Sequence, residues 1–393
     1  ARIFTMVFQW EVANMLGPSQ FGTMGMLLAS AAIVFPLADL GLQSLALRHL
    51  ANSTDGRAFG DILGLRLAGS LVYLLAIPFV AWKFPVEQGG IAGLYLAGGY
   101  YLLLSVSEFL RQVFRAKELT SLEFVSRLAL PLAMVASVAL MFWTRSGLNG
   151  ALALYSLGPA ALVVSYLFGL ARSGIVPALD WRRALRLLRG EWPAMLQTMF
   201  HIAAVNLVMR VDLWILDENA SRAVVGAYLA GYNMVFAGTF FAQASSSYFY
   251  PYLVREGKSR GERMLKVLLA QGALAGAMYL GVILIASRVF HLIYRTRGYE
   301  IGVDYLPYFG VLIAFSAMNM VWFNLLLARK IQGWYALLVL AQVGIKLWLG
   351  GRFVQEYGPV GMARLSVVIE IPSSIFMGCV ASWVFMRKGK TSE

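Results

Sequence analysis

The chain is dominated by long, continuous apolar runs rich in Leu, Ala and Gly, separated by short polar, Gly or Pro clusters. A membrane-spanning helix needs roughly 20 mostly apolar residues, and run after run here meets that length. The runs lack the ten-residue alternation of a membrane β-barrel. Only 13% of the 393 residues are charged while 59% are hydrophobic, too few charges to cover a water-exposed surface. The mean hydropathy is +0.68. A soluble enzyme, a disordered chain and a disulfide-rich module are excluded. The single cysteine, Cys379, allows no intrachain disulfide. The expected class is an all-α polytopic membrane protein.

The breaks divide the chain into about 12 transmembrane helices, near 1–16, 21–47, 60–82, 91–114, 119–143, 149–171, 192–216, 223–251, 264–289, 303–327, 332–350 and 358–386. The first apolar segment leads straight into further spans, so it reads as a span, not as a cleavable signal; the sequence begins at Ala1 without a Met. Basic residues concentrate in the loops after segments 2, 4, 6, 8 and 10 and in the tail, for example Arg48, Arg182, Arg183, Arg186, Arg189, Arg255, Lys258, Arg329, Lys330, Arg387, Lys388 and Lys390. The opposite loops, to which Lys346 is assigned, carry fewer. The asymmetry places the N-terminus and C-terminus in the cytoplasm and explains the net charge of +13 without nucleic acid.

The spans divide into two pseudo-symmetric six-helix lobes: residues 1–172, a cytoplasmic linker at 173–191, and residues 192–393. Phe21-Gly22-Thr-Met24 echoes Val225-Gly226-Ala-Tyr228 about half a chain later. Six spans per lobe insert both halves in the same orientation, as in transporters whose repeats are related by an axis along the membrane normal. In the linker, Asp180 is expected to cap a short interfacial helix with Trp181, Leu185 and Leu188 on one face and arginines on the other; a plain solvated loop is the alternative. Such a helix would lie on the anionic inner leaflet.

No phosphate-binding loop, nucleophile elbow or metal-ligand spacing is present, the three histidines (His49, His201, His291) being far apart. No enzyme activity is expected, no cofactor and no metal; a coupling ion, Na+ or H+, is the one small species a transporter would use. The informative residues are polar ones at membrane depth. Tyr101, Ser105, Glu108, Arg111 and Arg115 are spaced 4, 3, 3 and 4 and share one helical face. Glu108–Arg111 and Glu123–Arg127 can pair along their helices. With Asp39 and Arg66 they form a cytoplasm-facing cluster. The second half holds Arg210, Asp212, Arg364, Glu370 and Asn319, and a stripe of Tyr232, Thr239, Gln243, Ser246 and Tyr250.

The functional reading is a central cleft. Arg66, Arg111, Arg127, Arg210 and Arg364 would hold an anionic group, plausibly phosphate. Tyr101, Ser105, Tyr232, Thr239, Gln243 and Asn319 would face sugars. Asp39, Glu108, Glu123, Asp212 and Glu370 are candidates for gating or coupling. The competing reading is structural: ion pairs at helix interfaces, arginines snorkelling to headgroups, and hydroxyls bonding between helices.

Asp212-Leu-Trp-Ile-Leu216, Val225-Gly-Ala-Tyr228, Ala230 and Pro251-Tyr-Leu253, with Leu187-Leu-Arg-Gly-Glu-Trp-Pro193 upstream and Leu16-Gly-Pro-Ser-Gln-Phe-Gly22 and Asp39-Leu-Gly-Leu42 near the start, resemble the signatures of the polysaccharide flippase family. That family belongs to the multidrug/oligosaccharidyl-lipid/polysaccharide exporter superfamily. The resemblance implies a bacterial inner-membrane flippase. Its substrates would be undecaprenyl-pyrophosphate-linked oligosaccharide repeat units, of O-antigen or exopolysaccharide type, moved by alternating access. The implied partners are that lipid-linked oligosaccharide, membrane lipids and, among proteins, a glycan polymerase, a chain-length regulator or glycosyltransferases. The rivals are a cation-coupled drug or metabolite exporter of the same superfamily and a non-transporting scaffold for glycan assembly enzymes.

Overall fold

The computed structural model describes residues 2–42, 46, 49–50, 56–83, 90–254, 260–328 and 333–386; side chains at 2, 81–83, 250–254, 260, 327–328 and 386 are not described. The expected loop charges at Arg48, Arg255, Lys258, Arg329, Lys330, Arg387, Lys388 and Lys390 lie outside the described residues, as does the side chain of Tyr250.

The protein is all-helical among the described residues, and eleven helices are long and apolar enough to cross a membrane. In chain order they are built from α1 (Arg2–Asp39), α2 (Arg57–Lys83), α3 (Gly90–Ala116), α4 (Thr120–Arg127), α5 (Ala129–Thr144), α6 (Leu148–Arg172), α7 (Trp181–Asn219), α8 (Arg222–Phe236), α9 (Thr239–Val254), α10 (Arg260–Gly281), α11 (Ser287–Ile293), α12 (Leu306–Ala328), α13 (Gly333–Tyr357) and α14 (Val360–Met386). A π-turn (Val282–Ala286) joins α10 to α11, and a 3-10 turn (Glu300–Tyr305) leads into α12.

The difference between eleven and the expected twelve lies in α1. Straight, its 38 residues would run ~57 Å, far beyond the ~30 Å hydrocarbon core. Gly17 interrupts it with φ 73 and ψ 171, a backbone region that disfavours a Cβ. The expected segments 1–16 and 21–47 are therefore two helices that meet at the Gly17 kink and are counted together as one of the eleven, the second ending at Asp39.

A second difference lies in the linker. Asp180 caps a helix as expected, its Oδ1 accepting the Arg182 amide at 2.9 Å and the Arg183 amide at 3.4 Å. That helix does not stop: α7 runs unbroken to Asn219. Pro193 does not break it.

Span 8, expected as one helix over 223–251, crosses as one stretch, Arg222–Phe249, with a turn at Ala237–Gly238 between α8 and α9.

The chain forms two compact units, Ala1–Leu16 with Thr23–Leu207, and Gly17–Gly22 with Val208–Glu393. The division falls inside α7, between Leu207 and Val208. The start of α7 is anchored to α2. Asp61 accepts the Asp180 amide at 3.3 Å and pairs with Arg183 at 3.3 Å. Segment 176–178 lies directly on the backbone of α2 at Gly56 and Gly60, where any Cβ would meet it within 2.0–2.4 Å.

In the first unit α3 packs against α2 and α6, and α6 against α5. Its core joins Phe59, Ile62 and Leu65 of α2, Phe109 and Phe114 of α3, Tyr166 of α6 and Met195 of α7. Ser137 ties α5 to α6 through the Leu154 carbonyl at 2.9 Å. In the second unit α12 is central, contacting α8, α9, α10 and α14. Gln271 of α10 donates to the Ala317 carbonyl at 3.0 Å and accepts Ser245 at 2.8 Å, so amide and hydroxyl groups hold three helices together where hydrophobic contrast with lipid is absent. The two halves of the sequence echo also meet inside this unit: a Cβ on Gly226 would lie 1.9 Å from the Pro18 carbonyl, and one on Gly22 would lie 2.1 Å from the Arg222 carbonyl.

Candidate functional site

The first unit resolves the N-terminal polar cluster into three ion-pair groups. Arg66, on α2, is 1% exposed. Its guanidinium pairs with Asp39 at the end of α1, donates to Ser105 of α3 at 2.7 Å, and stands over the Phe109 ring at 5.2 Å. Its Nε and Nη1 and the second Asp39 oxygen have no hydrogen-bond partner among the described residues. Tyr101, one turn from Ser105, is buried against Phe35 at 5.5 Å. The second group is Glu108–Arg111, half-buried. In the third, Glu123 meets Arg115 at 3.3 Å and Arg127 at 3.5 Å.

The expected helical face of α3 is therefore graded, with Tyr101 and Ser105 buried, Glu108 and Arg111 half-buried and Arg115 exposed. Both expected intrahelical pairs form. Arg66, Arg111 and Arg127 each have a carboxylate partner, and of the three only Arg66 is a buried charge.

The second unit carries two polar layers one helical turn apart. In the first, Asp212 of α7 accepts Lys346 of α13 at 2.7 Å, Tyr228 of α8 at 2.7 Å and Ser366 of α14 at 2.9 Å. In the second, Glu370 of α14 accepts Asn319 of α12 at 2.6 Å and Gln342 of α13 at 3.0 Å, while Ser374 donates to Asn319. Gln342 to Lys346 and Ser366 to Glu370 are both i,i+4 steps, so α13 and α14 each supply one group to each layer.

Lys346 is a correction to the sequence expectation. It is a buried member of α13, thirteen residues after Gly333 and eleven before Tyr357, not a loop residue. The signal was its i,i+4 spacing from Gln342 within an apolar run.

The expected sugar-facing stripe separates. Tyr232 stacks on Phe236 at 4.1 Å, Thr239 donates to the Phe236 carbonyl at 2.6 Å, Ser246 accepts Asn324 at 2.7 Å, and Gln243 is exposed. Arg210 is half-buried, within electrostatic reach of Tyr232. Arg364 is exposed. Its Nε donates to Tyr308 at 2.8 Å, and its guanidinium lies over the Tyr308 and Tyr357 rings at 5.7 and 5.4 Å. This pair of aromatic faces holds the charge at the surface by cation–π attraction. Among the described residues no group of three or more His, Cys, Asp or Glu is placed to hold a metal ion.

The family profile described as "Polysaccharide biosynthesis protein" matches residues 1–256. The chain belongs to that family. No curated protein matches it. Solved structures share the fold across nearly the whole chain. A multidrug resistance MATE family transporter of the MOP superfamily, in an inward-facing conformation, is 15% identical, with 99% of this chain and 96% of that one covered and a TM-score of 0.73. The lipid II flippase MurJ, in an inward closed conformation, is 13% identical, with 97% and 85% covered and a TM-score of 0.66. The MATE transporter VcmN of Vibrio cholerae, in a bent form, is 13% identical, with 98% of each chain covered and a TM-score of 0.56. This polysaccharide biosynthesis family member is thus a multi-pass membrane protein with the fold of that transporter group.

Proposed function

We propose that the protein is a flippase that carries undecaprenyl-pyrophosphate-linked oligosaccharide repeat units across the bacterial cytoplasmic membrane by alternating access, without enzymatic chemistry. The observation that carries this reading is the conjunction of a polysaccharide biosynthesis sequence match with a fold shared along 97% of the chain with a lipid II flippase. Arg364 is the guanidinium assigned to the pyrophosphate. It is exposed and presented on two tyrosine faces, whereas Arg66 is enclosed and engaged with Asp39 and Ser105. Asn319 and Gln243 remain assigned to the sugars. Na+ or H+ as coupling ion, and a glycan polymerase, chain-length regulator or glycosyltransferases as neighbours, belong to the same proposal.

The test is gene deletion with complementation. Lipid-linked repeat units should accumulate on the cytoplasmic face and surface glycan should fall, both restored by the intact gene. Unchanged surface glycan with increased drug sensitivity would instead identify an exporter. Glycan loss without any change in the leaflet distribution of the repeat unit would identify a scaffold.

A further inference from the structure

The first unit carries an apolar groove that none of the polar clusters explains. α1 and α7 cross where Gly41 backs on Met195; a Cβ on Gly41 would meet the Met195 carbonyl at 2.2 Å. Beside this crossing, Ile33, Val34 and Leu37 of the α1 arm face Leu196, Phe200 and Ala203 of α7 across a cavity of about 530 Å³. Among the described residues, Gln197 is the one polar side chain in its lining. Leu196 and Phe200 are 37% and 47% exposed, so the cavity opens outward from the unit.

The stripe of α7 that forms one wall continues toward the helix start as arginines. Arg182, Arg186, Arg189, Leu196, Phe200 and Ala203 are separated by 4, 3, 7, 4 and 3 residues, all steps that return to one helical face. The three arginines are exposed. Trp181 and Trp192 stand beside them, 49% and 44% exposed, as tryptophans do at a membrane–water boundary. Along the helix axis Leu196 lies ~10 Å and Ala203 ~21 Å from Arg189. With the arginines at headgroup level, the groove begins at acyl-chain depth in a leaflet about 15 Å thick.

We infer that this stripe seats one anionic phospholipid of the cytoplasmic leaflet, its phosphate on Arg182, Arg186 and Arg189 and one acyl chain in the α1–α7 groove. The charge pattern selects the headgroup: a zwitterionic lipid brings an ammonium that three arginines repel, whereas phosphatidylglycerol brings net negative charge. The volume selects the chain, since a cavity at the small-ligand scale suits a single acyl tail better than a long polyprenyl tail. This inference stands independently of the transported substrate.

The experiment uses the full chain with equimolar phosphatidylglycerol and phosphatidylcholine, read by native mass spectrometry. One phosphatidylglycerol should be retained in preference to phosphatidylcholine. The triple variant R182Q/R186Q/R189Q should lower that preference about a hundredfold, at roughly fivefold per arginine. A phosphatidylglycerol with a photoreactive group on its acyl chain should label the unaltered protein within 196–203 or 33–37, a readout that needs no variant to fold. Equal retention of the two lipids, labelling confined to other helices, or displacement by equimolar polyprenyl phosphate would each overturn the assignment.

Discussion

Two buried carboxylates, Asp39 and Asp212, each face one cation inside their own unit. Removing the cation leaves a buried carboxylate without its opposite charge. Arg66→Leu should therefore cost about 3–5 kcal/mol of stability, and Lys346→Met about as much. The double variants Arg66→Leu with Asp39→Leu, and Lys346→Met with Asp212→Leu, should recover much of the loss, because they remove both charges. Thermal unfolding in detergent across each double-mutant cycle checks this; additive losses would show that the pairs are not coupled. Arg364 belongs to a different class. Its guanidinium is exposed on Tyr308 and Tyr357, so Arg364→Glu should leave the melting temperature nearly unchanged while reducing glycan export at least tenfold in a complementation assay. Loss of folded protein in that variant would return Arg364 to a structural role.

At the scale of the element, α7 and the Gly22–Gly226 contact make the sharpest claims. The Asp180 carboxyl is held below the usual carboxylate range, first by the Arg182 amide and then by the Arg183 amide and nearby arginine charge. A group lowered in the folded state contributes stability above its unfolded pKa and loses it as the pH falls through the lowered folded value. Protection factors of the amides in the first turn of α7, taken relative to the intrinsic exchange rate at each pH, should thus fall in acid. Asp180→Asn, whose amide oxygen caps without titrating, should abolish that pH dependence. At the other contact, any side chain on Gly226 runs into backbone, not into a side chain that can swing aside. Gly226→Val should lose most folded protein in a fluorescence size-exclusion assay. The same change at Gly276, whose Cβ would meet nothing within 4 Å, should be tolerated.

For the whole molecule, the family match and the shared transporter fold lead to one physiological expectation. A strain lacking the protein should build repeat units and fail to present them on the outer leaflet. Protease or lectin accessibility of the lipid-linked glycan in oriented vesicles distinguishes that outcome from a failure of synthesis.

The linear sequence determined the membrane class, the approximate spans, the Glu108–Arg111 and Glu123–Arg127 pairs and the cap at Asp180. Each rests on hydropathy or on spacing along one helix, which the 3.6-residue turn translates directly into neighbours. It could not determine that the helix capped by Asp180 continues unbroken to Asn219. That outcome accompanies backbone contacts at Gly56–Val176 and Gly60–Ala178. The sequence placed Asp39 and Arg66 in one cluster but could not join Asp212 to Lys346, 134 residues apart. Only the packing of separate helices brings such charges together, and a buried charge is stable only once its distant partner has arrived.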